Sequence, residues 1–259
     1  HIHLHAAALK RYTSDNTGKD PQRGAFTKNA LVGLVDSLMR TVQKLRWKPA
    51  TDKWGNYYQA TNYTDQAFAK KKEIVATLLQ SVETATILDL GANTGVFSKL
   101  AKESAGCTVI STDYDPAAVE INYLDCKQNK IRQVLPLILD LTNPSPAIGW
   151  ANQERDAFFQ RGPFDVIMAL ALIHHLAISN NLPLEKIAAF FAQHCQYLLI
   201  EFVPKEDSQV QRLLAGRDDI FGNYTPDGFR AAFGTYFEPV KELLVEGSAR
   251  TIFWMKKKS

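Results

Sequence analysis

The chain has 259 residues, of which 46% are hydrophobic and 22% charged, with a formal net charge of +3. That is enough material for one large domain, or one domain with an extension, and it excludes a chain dominated by disorder. Apolar runs such as Val166 to Ile173 stop well short of the roughly 20 residues that span a bilayer. The three cysteines, Cys107, Cys126 and Cys195, are too scattered for a disulfide framework or a zinc knuckle, so a reducing cytoplasm is the expected compartment.

The chain opens on His1 with no charged-then-apolar leader behind it, which leaves room for an upstream segment of the same chain that contributes substrate contacts. Residues 1–80 hold 13 Lys and Arg against 6 Asp and Glu, whereas the remainder holds 17 against 21. This basic part reads as a solvated helical extension, with an RNA or phosphorylated partner as the alternative. Ser14 to Gly24 is a polar loop, and Leu31 to Met39 with Val42 and Leu45 fits an amphipathic helix. Pro49 and Gly55 mark a boundary, and a second helix from Thr64 through Leu79 carries Phe68, Ile74, Val75, Leu78 and Leu79 on its apolar face. The expected division is a helical N-terminal extension and lid over 1–80 and a second domain over 81–259.

From Thr86 onward strands and helices alternate. Strands are expected near 86–90, 107–112, 134–139, 164–169 and 197–202, and helices near 116–129, 151–160 and 183–194. Pro136 cannot donate to a ladder, so the third strand belongs toward one side of the sheet or at a bulge. After a helix near 225–234, the apolar stretches Val240–Val245 and Thr251–Met255 flank the turn Glu246-Gly247-Ser248, which predicts a terminal antiparallel hairpin. This rhythm predicts an α/β, Rossmann-like doubly wound sheet with helices on both faces.

In such a sheet ligands sit outside the carboxyl ends of the strands, so the residues just after each strand carry the functional signal. Ile87 to Gly95 runs from an apolar strand through Asp89 into a glycine-bounded turn and then a helix. The second strand ends at Asp113, whose carboxylate suits a ribose diol. A dinucleotide fingerprint needs glycine at the positions of Gly91, Asn93 and Val96, and it fails at the last two.

The surviving pattern, Asp89-x-Gly91-x-Asn93-x-Gly95, resembles motif I of class I S-adenosylmethionine-dependent methyltransferases, with Asn93 as a departure from the usual glycine. Five alternating units followed by a strand pair resemble the seven-stranded order of that family. The resemblance implies that Asp89, Gly91, Ala92, Asn93 and Gly95 frame the methionine part of S-adenosylmethionine. It also implies that Asp113 and Tyr114 hold the ribose, that Asp140 and Leu141 meet the adenine, and that Leu170 borders the pocket after the fourth strand. Read locally, Asp140 caps the turn Thr142-Asn143-Pro144 instead. Tyr57, Tyr63 and Lys71 become lid candidates, with Lys71 meeting the methionine carboxylate; solvated lysines and packed tyrosines are the plainer reading.

His174 and His175 follow the fourth strand, where this family presents its acceptor. The Asn/Asp-Pro-Pro-aromatic motif of amine and amide methylation is missing there, so one imidazole is a candidate general base for a hydroxyl, and a packing histidine is the plainer alternative. Adjacent side chains point in different directions, so only one of the two is expected to face the substrate. His174, His175, His194 and Cys195 lack metal-ligand spacing, and terminal His1, His3 and His5 make an improbable site, so no metal is expected. The stretches Asn143 to Arg155 and Ile173 to Pro183 are similar to a small bacterial family that includes nodulation proteins, a likeness running from about residue 47. Within the first stretch Trp150 is a candidate lining residue, and Pro144 and Pro146 stiffen the loop. The expected activity is methyl transfer from S-adenosylmethionine to a small-molecule acceptor. RNA methylation, a nicotinamide-dependent oxidoreductase and a non-catalytic cofactor-binding module are the alternatives.

Overall fold

The computed structural model describes residues 27–47 and 63–259. Two compact units divide the chain, His1–Lys48 and Pro49–Ser259. In the first, α1 (Lys28–Lys44) starts at Thr27, whose side chain accepts from the Ala30 N–H and so satisfies one of the unpaired amides of the first turn. This is the amphipathic helix expected between Leu31 and Leu45.

The second unit is a seven-stranded sheet with helices on both faces. Its elements in chain order are α2 (Asp65–Leu79), β1 (Thr86–Leu90), α3 (Val96–Ala105), β2 (Thr108–Asp113), α4 (Pro116–Gln128) and β3 (Val134–Ile138). There follow β4 (Phe164–Ala169), α5 (Leu184–His194), β5 (Cys195–Phe202), α6 (Ser208–Leu214), α7 (Pro226–Gly234), β6 (Phe237–Leu244) and β7 (Thr251–Lys257). The spatial order is β3-β2-β1-β4-β5-β7-β6. Strands β1 to β5 run parallel, and β7 enters antiparallel between β5 and β6. The expected terminal hairpin is therefore present, with the last strand inserted beside its neighbours. The unit boundary falls before α2, so the helix expected as part of the extension lies in the same unit as the sheet.

The alternation of strand side chains explains the two layers. Ile87, Val109, Val166, Met168 and Trp254 point to one face, where Val75, Leu78 and Leu79 of α2 and Phe97 of α3 cover them. Leu88, Leu90, Ile167, Leu198 and Phe253 point to the other, against Phe191 of α5 and Phe229 and Phe233 of α7. The prolines sit where a missing donor matters least. Pro136 lies in the edge strand β3, and Pro239 marks a register shift in the opposite edge strand β6.

Two local expectations are corrected. The helix expected over 151–160 is absent; short 3-10 turns at Trp150–Asn152 and Phe158–Arg161 take its place. Gly149, Ala151 and Asn152 all have positive φ, and Ile148 pairs with Arg155, so the chain folds back on itself instead of coiling. Helix α6 was not anticipated, although Asp207 is a sound N-cap whose side chain accepts from the Gln209 N–H.

Candidate active site

Strand order reverses between β1 and β4, and a cavity of about 550 Å³ opens at their carboxyl ends. The turn after β1 forms one wall. Gly91 has φ +70° and Asn93 has φ +51°, a conformation that asparagine tolerates better than most side chains, which accounts for its place where the family motif has glycine. The Ala92 N–H donates to the Thr112 carbonyl (2.9 Å), tying the turn to the end of β2. Asp113 then closes it: its Oδ2 accepts from the Asn93 N–H (2.8 Å) and its Oδ1 from the Asp115 N–H (2.9 Å). Burial pushes the Asp113 carboxyl up, against the pull of these backbone donors.

Gly91 and Gly95 have different roles. A Cβ on Gly91 would meet Leu172 Cδ1 at 3.3 Å, and both residues line the cavity. A Cβ on Gly95, at φ +75°, would fall 2.2 Å from Asn122 Oδ1, and Gly95 is not part of the cavity wall. The bare backbone of Gly95 makes room for Asn122. That amide donates to Ser111 Oγ (2.8 Å), Ser98 Oγ lies 2.7 Å from the same oxygen, and Ser98 donates to Asp89 Oδ2 (2.6 Å). Burial pushes the Asp89 carboxyl up to about 7.

Tyr114, Asp140, Leu141 and Leu170 all border the cavity, as do Asp89, Gly91, Ala92, Asn93 and Asp113. Asp140 also caps its turn: Oδ1 accepts from the Thr142 N–H (2.9 Å) and Oγ1 (2.7 Å), which holds its carboxyl below the usual range. Trp150 does not line the cavity; it is 86% exposed. Tyr57 lies outside the described residues.

The histidines separate as their adjacency requires. His175 lines the cavity, while His174 is buried behind it with Nδ1 unpartnered. The expectation that either imidazole faces the substrate narrows to His175. Burial lowers its pKa below the ordinary histidine value, and the Arg250 charge adds to the effect. His175 is therefore neutral at physiological pH, the state in which a base accepts a proton.

Tyr63 and Lys71 close the opposite end of the cavity beside Phe68 and Phe97, and both reach Glu201, a residue absent from the sequence-based candidates. Lys71 Nζ donates to Glu201 Oε2 at 2.7 Å, and the Tyr63 hydroxyl donates to Oε1. Arg250 lies 4.8 Å from the Tyr63 ring centroid and binds Asp207 with two hydrogen bonds (2.7 and 3.1 Å). The lysine expected at the methionine carboxylate is held in a buried ion pair, not solvated. Burial pushes the Glu201 carboxyl up, but Lys71, Arg250 and the Tyr63 hydroxyl outweigh it and hold it below the usual range. A carboxylate inside the otherwise apolar run from Tyr197 to Phe202 was the available signal, because a buried charge requires a partner.

Among the described residues no group of three or more His, Cys, Asp or Glu is arranged to hold a metal ion, and no helix is long and apolar enough to cross a membrane.

Residues 51–224 match a family described as a methyltransferase domain, and the chain belongs to that family. This decides between the two cofactor-fold classes weighed from the sequence in favour of the methyltransferase. The chain is 40% identical over 200 residues to the nodulation protein NoeA of Rhizobium meliloti (strain 1021), a match covering 77% of this chain. It spans only 42% of that relative's length. Two solved structures share the fold. The N-methyltransferase NodS from Bradyrhizobium japonicum WM9, in complex with S-adenosyl-L-homocysteine, is 13% identical with a TM-score of 0.57, covering 86% of this chain and 98% of that one. Magnesium protoporphyrin IX methyltransferase from Synechocystis PCC 6803, with bound S-adenosylmethionine, is 12% identical with a TM-score of 0.52, covering 86% and 92%.

Proposed function

We propose that the chain binds S-adenosylmethionine in the 550 Å³ cavity and catalyses transfer of its methyl group to a small-molecule acceptor. The observation that carries this reading is the closure of the Gly91–Asn93 turn onto Asp113 at the strand-order switch. It leaves a buried carboxylate with further acceptor capacity at the place where a ribose diol needs one. Gly91 keeps the backbone bare beside Leu172, and Leu141, Leu170 and Leu172 supply apolar surface for a base. The residues present therefore fit this cofactor, with Asp113 and Tyr114 at the ribose, Asp140 and Leu141 at the adenine, and Tyr63, Lys71 and Asp89 at the methionine end.

When bound, this cofactor supplies an activated methyl group on a positively charged sulfur. The chain's own part is alignment, exclusion of water and removal of one proton. His175 Nδ1 or Nε2 takes that proton from a hydroxyl acceptor, being neutral and in the cavity wall.

A small molecule is favoured over RNA by charge. In the described wall, Asp89, Asp113 and Asp140 stand against one lysine, and that lysine is paired with Glu201. A polyphosphate chain meets no free cation of the wall there. A cytoplasmic location suits the buried, unpaired thiols of Cys107, Cys126 and Cys195. The length of NoeA beyond the matched part supports a further segment of the same polypeptide as a partner of this domain.

The test is a screen of metabolite extracts and bulk RNA for methyl label transferred from S-adenosylmethionine by the wild-type chain. Label in a small molecule, lost with His175→Ala by roughly 10²–10⁴-fold, is the expected result. Label in RNA alone overturns the acceptor class, and cofactor binding without any labelled product supports the non-catalytic alternative.

A further inference from the structure

Lys71 is the only lysine or arginine in the described cavity wall, and its ammonium sits 5.0 Å from the Tyr63 ring centroid and 4.9 Å from that of Phe97. Glu201, which neutralises it, is fully buried at the end of β5 and does not itself line the cavity. A well-packed apolar pair would serve the fold as well or better, because the cost of removing two charges from water is seldom exceeded by their mutual attraction. The pairing crosses 130 residues of sequence and has no local role in a helix or turn. Its position beside the cavity gives it another use. The methyl donor is a cation at sulfur, and the product left after transfer is a neutral thioether, so an uncompensated ammonium in the wall would repel the first and not the second.

We propose that Glu201 sets the discrimination between methyl donor and product: it cancels the Lys71 charge in the cavity wall and lets the sulfonium form bind without electrostatic penalty. This rests on the reading of the cavity as the cofactor site. Glu201 is a positioning residue that acts through Lys71, and through Tyr63, whose hydroxyl takes its second oxygen. Arg250 is a poor substitute for this role of Lys71, because its guanidinium is committed to Asp207 and it does not line the cavity.

Calorimetric titration of the chain with S-adenosylmethionine and with S-adenosylhomocysteine gives the ratio of the two dissociation constants. It is run across pH 5 to 8, because burial lowers the Lys71 pKa and Glu201 opposes that, and the Glu201→Gln comparison is read at the acid end where the ammonium is kept. Glu201→Gln leaves an ammonium uncovered and is expected to raise the donor-to-product ratio by roughly tenfold, the Coulomb interaction of two charges across several ångströms of a partly screened site. Lys71→Met removes the foremost charge that holds the Glu201 carboxyl low and leaves the Arg250 charge and the Tyr63 hydroxyl beside it; at the alkaline end of the range, where the carboxyl is ionised, the ratio is expected to fall. Lys70→Met, at an exposed pair with Glu73, is expected to leave it unchanged. A structural role alone would weaken both ligands equally, so unchanged ratios, or shifts of the same sign in the two single variants, overturn the proposal. If Glu201→Gln does not fold, the fall expected in Lys71→Met decides, and its absence is equally fatal. Failure of the wild-type chain to bind either ligand overturns the cofactor reading itself, and this inference with it.

Discussion

The turn after β1, through Gly91, Ala92 and Asn93, and the wall of Tyr63 and Lys71, backed by Glu201, border the same cavity, yet they are held by different means. The turn is largely local: the Asn93 N–H reaches Asp113, 20 residues on, and its shape follows from positive φ at Gly91, Asn93 and Gly95. The wall is assembled from residues 130 and 138 positions apart and is held by buried charge. Backbone geometry leaves its mark on sequence as residue type at fixed spacing, whereas a charge network leaves only isolated charged residues in apolar surroundings.

The largest expected effect is on the wall. Arg250→Met removes a guanidinium whose side chain is 3% exposed and takes the countercharge from the Asp207 carboxylate, which keeps the Gln209 N–H. Stripping one member from a buried pair costs about 3–5 kcal/mol, measurable by urea denaturation. A loss below about 1 kcal/mol would mean that the wall stands without this pair.

On the side of the turn, Gly95→Ala forces a side chain into a left-handed residue and against Asn122, with an expected loss of about 1–3 kcal/mol. Asn122→Ala in the same chain makes room, so the double variant should lose less than the two single losses combined, a coupling read from a double-mutant cycle. Strict additivity would show that the crowding at Asn122 is not what requires glycine there.

A separate effect, read from pH, is expected at Asp89. The ordinary carboxyl value of Asp89, 3.8, is raised to about 7 in the folded chain by burial. Between about pH 4 and 7 the unfolded chain loses this proton and the folded chain keeps it, so this group's contribution to stability falls as pH rises through that window and levels off above it. Asp89→Asn should show a less steep decline over the same range. Equal slopes for the unliganded wild-type and variant chains would show that Asp89 is ionised in the fold throughout.

The smallest contrast compares neighbouring lysines. Lys71→Ala should weaken donor and product binding to different extents, whereas Lys70→Ala, at an exposed pair, should leave stability and both affinities unchanged within error. Matching effects would mean that the Lys71–Glu201 pair does not act on the bound ligand.

What could be read in advance follows the same division. Apolar periodicity gave β1 to β5 and the helices after β2 and before β5, because both faces of the sheet are covered and each strand is a near-continuous apolar run. Pro136 pointed to the side of the sheet where β3 lies. The stretch 151–160 was misread because Asn152, Gln153 and Glu154 allow a helix locally, while Gly149 and the Ile148–Arg155 pairing turn the chain back. Asp113 was legible from its spacing after the turn. Glu201 and Arg250 were not, because their side chains are explained by residues far away in sequence. Gly95 was legible as a required glycine, but the crowding by Asn122 on another helix was not.

The claim beneath both regions is that this cavity holds S-adenosylmethionine with Asp113 at the ribose. Calorimetry with S-adenosylmethionine, S-adenosylhomocysteine and NAD, on the wild-type chain and on folded Asp113→Ala, tests it most directly. The account predicts that the first two ligands bind and NAD does not, and that the variant loses about 1.5–3 kcal/mol of affinity as two hydroxyls lose a charged acceptor. Binding of NAD in preference to both, or unchanged affinity in the folded variant, would contradict it.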